Sequence, residues 1–106
     1  MFTTGIKGNL TKDPVTKQVN DKEVTNFTIA VNYTLGSSEN PKEITRYLEV
    51  GLWGKPGEAA QRILKKGNIV LIRGGFVHTE LNEKDDKTYL NERIVNPEGF
   101  DKISLD

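Results

Sequence analysis

Apolar and polar residues alternate with a period of two over much of the chain, the signature of strands that bury one face. The alternation is clearest over 24–32, where Phe27, Ile29 and Val31 take the core side and Asn26, Thr28 and Asn32 the other. A first strand is predicted over 2–10, ending in Gly8-Asn9-Leu10 and the turn former Lys12-Asp13-Pro14. A polar loop, 34–43, separates the second strand from a third at 45–53. One segment follows a different period. From Glu58 to Gly67 the apolar residues Ala60, Ile63 and Leu64 recur at helical spacing. Pro56 lies near the start, Glu58 in the first turn, Lys65 and Lys66 in the last, and Gly67 just past the end. The spacing predicts a helix of about three turns whose single apolar stripe caps a sheet or barrel. The β-branched stretch 68–78 predicts a fourth strand, and a charged turn, 82–87, leads to a fifth near 88–95.

Three strands, a helix and two strands is the connectivity of the OB-fold, an all-β, five-stranded Greek-key barrel with one helix between strands 3 and 4. Another small β-barrel or an α+β sheet would satisfy the same pattern. No repeat, low-complexity segment or linker interrupts the chain, and 106 residues suit a single domain spanning 1–106.

The third strand carries the functional signal. Leu48, Val50 and Leu52 mark its core face, which leaves Tyr47, Glu49, Gly51 and Trp53 on the other. Two exposed rings on one face form a platform on which bases can stack whatever their identity, because every base has a π-face. Arg46, Lys55 and Arg73 are close enough in sequence or predicted register to hold phosphates. Glu49 works against this, since a carboxylate between the rings repels a phosphate backbone. Buried in a subunit interface, or left as isolated surface aromatics, the same rings would have no such role. On the fourth strand Val70, Ile72, Gly74 and Phe76 are expected inside, which leaves Ile69, Leu71, Arg73 and Val77 on an outer face too apolar for water. Ile69 and Leu71 are therefore expected in an oligomer interface. A bulge that swaps the two faces is the alternative.

Composition narrows the function further. The net charge is zero, from 15 basic and 15 acidic residues, so a nucleic-acid surface must come from local placement of cations. There is no cysteine, hence no disulfide and no thiolate metal site. The one histidine, His78, ends a core-like strand and reads as a barrel-rim residue. Asp85 and Asp86 read as a solvated turn rather than a metal site. The glycine pairs fit no phosphate-loop or dinucleotide pattern, and no serine sits in a nucleophile elbow. An enzyme, a cofactor and a metal are not expected. No apolar run approaches the ~20 residues of a membrane span, and the N-terminus lacks the pattern of a secretory signal. A cytoplasmic setting is expected.

Several motifs together resemble bacterial single-stranded DNA-binding proteins. Gly8-Asn9-Leu10-Thr11-Lys12-Asp13-Pro14 is similar to their first strand, and Asn26 through Asn32 to their second. Tyr47 through Lys55 is similar to their third strand, and Glu58-Ala59-Ala60 with Leu64-Lys65-Lys66-Gly67 to their helix and its exit. The resemblance runs from about residue 4 to 103. It implies an OB-fold, a homo-oligomer (usually of four OB domains, so a tetramer ahead of a dimer) and protection of single strands in replication, recombination and repair. The family's four stacking positions read Leu35, Tyr47, Trp53 and Leu81 here, so two rings have become leucines. Lys17, Lys55, Lys65 and Lys66 match family cations, and Lys84 and Lys87 of the charged turn are further candidates. Val77, Thr79 and Glu80 stand where the family usually carries arginines and lysines, so weaker binding per subunit is expected. Typical members continue into an acidic tail that recruits partners, whereas this sequence stops at Lys102-Ile103-Ser104-Leu105-Asp106. A protein-interaction adaptor, of the kind seen in primosomal replication proteins, is the competing reading.

Overall fold

The computed structural model of the chain describes residues 5–104. Residues 2–4 of the expected first strand, and Leu105 and Asp106 at the other end, lie outside these. In chain order the elements are β1 (Gly5–Leu10), β2 (Val15–Val19), β3 (Lys22–Leu35), β4 (Lys42–Trp53), α1 (Lys55–Ile63), β5 (Ile69–Arg73), β6 (Phe76–Lys84), β7 (Lys87–Val95) and β8 (Gly99–Lys102).

The strands form one sheet in the order β6-β7-β4-β3-β1-β5-β8, with β2 paired to the start of β3. β1 runs antiparallel to both β3 and β5. β4 and β7 run parallel and meet only through Glu49↔Arg93 and Val50↔Ile94. β5 passes directly into β6 through Gly74 and Gly75, so the chain itself links the edge strand β6 to β5, the strand next to the opposite edge. The architecture is an OB-fold with its helix between β4 and β5.

Leu10, Phe27, Ile29, Leu48, Val50, Leu52, Ala60, Leu64, Val70, Ile72 and Ile94 make the core. Phe27, Ile29, Leu48, Val50 and Leu52 come from the alternating faces expected of β3 and β4, and Leu10, Val70, Ile72 and Ile94 from β1, β5 and β7, with Ala60 and Leu64 of the helix end closing one side. The helix can lie this close because Gly57 has no side chain: a Cβ there would sit 2.3 Å from the Leu52 carbonyl oxygen. Helix and sheet are also tied by polar contacts. Gln61 Oε1 accepts from Thr16 Oγ1 at 2.8 Å, and Thr16 Oγ1 lies 2.8 Å from Oγ1 of the buried Thr25.

The structure corrects the expected elements in four places. The helix ends at Ile63, because Leu64 is already extended and Asn68 Oδ1 takes the Lys65 N–H that a continued helix would give to Gln61. Ile63, expected on the buried stripe, is 42% exposed. The fourth strand is broken at Gly74 and Gly75, whose φ values are 75° and 80°. Beyond that break the faces are reset: Phe76, expected in the core, is 59% exposed, and Val77 shares a face with Ile94 rather than with Leu71. The expected loops are shorter than 34–43 and 82–87, since strand pairing runs on to Leu35↔Lys42 and to Lys84↔Lys87. Asp85 and Asp86, both with positive φ, make the two-residue turn of the β6–β7 hairpin. Finally, β2 and β8 have no counterpart in the expected elements.

Candidate nucleic-acid interface

Residues paired across a sheet share a face, so the register assigns every site residue a side. Trp53 pairs with Val24, and Val24 with Lys17, which places Lys17, Val24 and Trp53 in one row on the outer face. The next rows are Val15, Asn26 and Gly51; then Thr28, Glu49, Arg93 and His78; then Asn9, Ala30 and Tyr47. Tyr47 and Trp53 are 59% and 51% exposed on this face, ~20 Å apart along β4. Glu49 and Gly51 separate them.

Two open grooves run between these rings. One, of about 600 Å³, is bordered by Tyr47 and Glu49 on one side and by Lys12, Asp13, Val15 and Lys17 on the other. The second, of about 550 Å³, lies between Trp53 and Arg93, with Asn26, Glu49 and Gly51 along its floor and Asn96 to Glu98 at its rim. Asn26 and Glu49 line both, so they form the ridge between them. The surface can therefore take a flexible strand whose bases meet rings at either end and whose phosphates meet Lys12, Lys17 and Arg93.

The remaining candidates are distributed differently. Lys55 is exposed at the start of α1, two residues beyond Trp53. Lys65 and Lys66 are exposed at the helix exit, where the Lys66 N–H donates to Asp13 Oδ1 at 2.7 Å, beside the Tyr47 groove. Leu35 and Leu81 are 51% and 71% exposed, but their register puts both on the face opposite Tyr47 and Trp53. They stand on the two long hairpins where these run past the core. Lys84 and Lys87 pair at the tip of the β6–β7 hairpin, far along it from Arg93.

Two arginines have partners that sequence reasoning did not foresee. Arg46 lies on the core-side face of β4 and gives its guanidinium to both carboxylate oxygens of the buried Glu92, with Nε–Oε2 at 2.8 Å. Glu92 also accepts from Thr79 Oγ1 at 3.2 Å. The hydrogen bonds from Arg46 outweigh burial and hold the Glu92 carboxyl below the usual carboxylate range. Arg46 is thus a clip between β4 and β7 and stands away from the stacking face. Arg73 Nε lies 2.9 Å from Asp101 Oδ2 on β8, a partly exposed ion pair at the surface. His78 is half-buried, with Nε2 3.1 Å from Glu80 Oε1.

Lys12, Asn26 and Arg93 were not among the expected site residues. Asn26 is the outward member of an alternating strand and could have been found that way. Arg93 comes to the site only through the parallel β4–β7 pairing, which no local pattern announces. Ile69, 37% exposed, and the half-buried Leu71 keep the outer face expected of them, beside Lys7 and Asn9.

The sequence as a whole matches the model of the single-strand binding protein family over residues 1–98. The chain belongs to that family. Its match to the single-stranded DNA-binding protein 1 of Clostridium acetobutylicum is 33% identical over 90 residues, covering 82% of this chain and 81% of that one. A match to the single-stranded DNA-binding protein of Caldanaerobacter subterraneus is 41% identical over 72 residues; it covers 65% of this chain but 46% of the relative. Among solved structures, the small single-stranded DNA-binding protein of Streptomyces coelicolor superposes with a TM-score of 0.75 at 14% identity, covering 96% of this chain and 94% of that one. A Plasmodium falciparum protein of this family, solved with single-stranded DNA, gives 0.71 at 22% identity, covering 100% and 96%. At these identities the structural likeness is one of fold.

Proposed function

We propose that this member of the single-strand binding protein family binds single-stranded DNA along the outer face of β4, with stacking and phosphate contacts that tolerate any sequence. The observation that carries the reading is the exposure of Tyr47 and Trp53 on one face, each at a groove that also holds unpaired cations. Each stack on a ring contributes about 1–3 kcal/mol, so two rings and three cations support moderate affinity. Lys17, Lys55, Lys65 and Lys66 extend the cationic path around the helix end, with Lys84 and Lys87 at the far hairpin tip. Protection of single strands in replication, recombination and repair follows as the cellular role, in a bacterial cytoplasm and without a catalytic step. The described residues, 5–104, contain no helix long and apolar enough to cross a membrane.

The chain acts in this reading as one OB-fold domain that self-associates through the outer face of β5, using Ile69 and Leu71. Ile69→Glu should then lower the sedimentation coefficient, and an unchanged value would detach these residues from the interface.

The deciding experiment is a titration with a mixed-sequence single strand at low and moderate salt, following the fluorescence of the single tryptophan. Saturable quenching that weakens with salt is expected. Absence of binding would favour the adaptor reading, which draws its support from the cross-strand pair Leu81 and Leu90, 71% and 58% exposed on the face away from the rings.

A further inference from the structure

Glu49 is out of place on a surface that meets phosphates, and its surroundings give it another task. It is exposed on the outer face of β4, directly opposite Arg93 in the parallel register. Asn26 faces Gly51 one row on, and Trp53 stands one further row along. All five residues line one groove of about 550 Å³. Among the described residues, Asn26, Glu49 and Arg93 have no side-chain hydrogen bond or ion pair, so a carboxylate acceptor, a guanidinium donor and an amide are left free along one groove, with Trp53 at its end ~13 Å along the strand from Glu49. Gly51 presents no side chain beneath them, and Asn26 Oδ1 would come within 3.0 Å of a Cβ placed there.

We propose that this groove reads the edge of a base lying in it beside Trp53 and selects for an exocyclic amino group, taking cytosine in preference to thymine. The inference rests on the DNA-binding reading above and adds a base preference to it. Unstacked single strands expose their Watson–Crick edges to side chains. Cytosine offers its N4 amino group, for which a carboxylate is the matching acceptor, and beside it the acceptors N3 and O2 for a guanidinium or amide. Thymine presents the carbonyl O4 at that position, and Glu49 would face an oxygen that cannot donate. Adenine and guanine also carry amino groups, so thymine is the base the groove holds least well. A Glu49 whose only effect was repulsion of phosphates would weaken all strands alike.

The test compares ~16-nucleotide oligo-dC and oligo-dT at neutral pH on the wild-type chain and on Glu49→Gln, by tryptophan quenching. The two homopolymers have the same backbone and similar ring size. Wild type should bind both, with oligo-dC about five- to tenfold tighter. Glu49→Gln, whose amide can donate to O4, should bring the two within twofold, mainly by strengthening oligo-dT. Equal affinities in the wild type, or a preference that persists in Glu49→Gln, would overturn the base-reading role while leaving single-strand binding intact. A uniform gain for both strands would reduce Glu49 to electrostatic repulsion. Binding to neither strand would sink the proposed function, and the base-reading role with it. An unchanged thermal midpoint for Glu49→Gln separates all of these from misfolding.

Discussion

Neighbours in sequence can serve opposite faces of a strand, and Arg46 beside Tyr47 shows the consequence. Tyr47 looks outward to the groove, while Arg46 reaches the buried carboxylate of Glu92 on β7. The carboxyl of Glu92 is held below its ordinary 4.5, first by the Arg46 hydrogen bonds. Its stabilisation is therefore complete above about pH 4.5 and is lost as the pH falls through the lower folded value. Glu92→Gln should cost about 1–2 kcal/mol at neutral pH, a modest figure because Arg46 is partly in water, and should flatten the acid limb of stability against pH. Denaturant melts at several pH values would show it; parallel curves for the two proteins would deny the clip its role. On the outer face, Trp53→Ala should cost roughly 1–3 kcal/mol of single-strand affinity. A change of only a few tenths would leave Trp53 as a cover for Val24.

Elements that bury one face announce themselves, and those that bury neither do not. β3 and β4 were legible over 24–32 and 45–53 because Phe27, Ile29, Leu48, Val50 and Leu52 alternate against polar neighbours. Their extensions to Leu35 and from Lys42 are mostly exposed, with only the paired Tyr33 and Ile44 half-buried; the alternation Val31, Tyr33, Leu35 carries on through the first of them but sits beside the turn formers of the loop. In β2 every residue is exposed. Its signal was the two-residue spacer Asn20-Asp21 between β-prone segments, with Asn20 at φ 54°. The outer face of β4, with Tyr47 and Trp53, could be read from the strand alone. Arg93 could not, since its place depends on a pairing between segments some forty residues apart. At the helix, Gly57→Ala should destabilise the fold by about 1–3 kcal/mol, because the added methyl meets the backbone of Leu52 and has no flexible neighbour to displace. A thermal melt within experimental error of wild type would contradict that close approach.

For the molecule as a whole, a net charge of zero means that salt acts on local cations and hardly at all on a global field. Lys17→Ala should flatten the log–log dependence of affinity on salt by about 0.7, the value for one phosphate contact on a single strand. An unchanged slope would remove Lys17 from the path. The barrel holds its β6–β7 hairpin by few links: two residue pairs to β4, the Arg46–Glu92 clip, and the glycine pair after β5. Local opening should therefore cost far less at the hairpin than in β1, β3 and β5. In deuterium exchange the amides near Leu81 and Leu90 should label early, while those around Ile29 and Val70 wait for global unfolding. The protein would then carry a slow clock in its barrel and a fast one in its arm, and a strand that reaches the arm on binding would be recorded as a delay in the fast one alone.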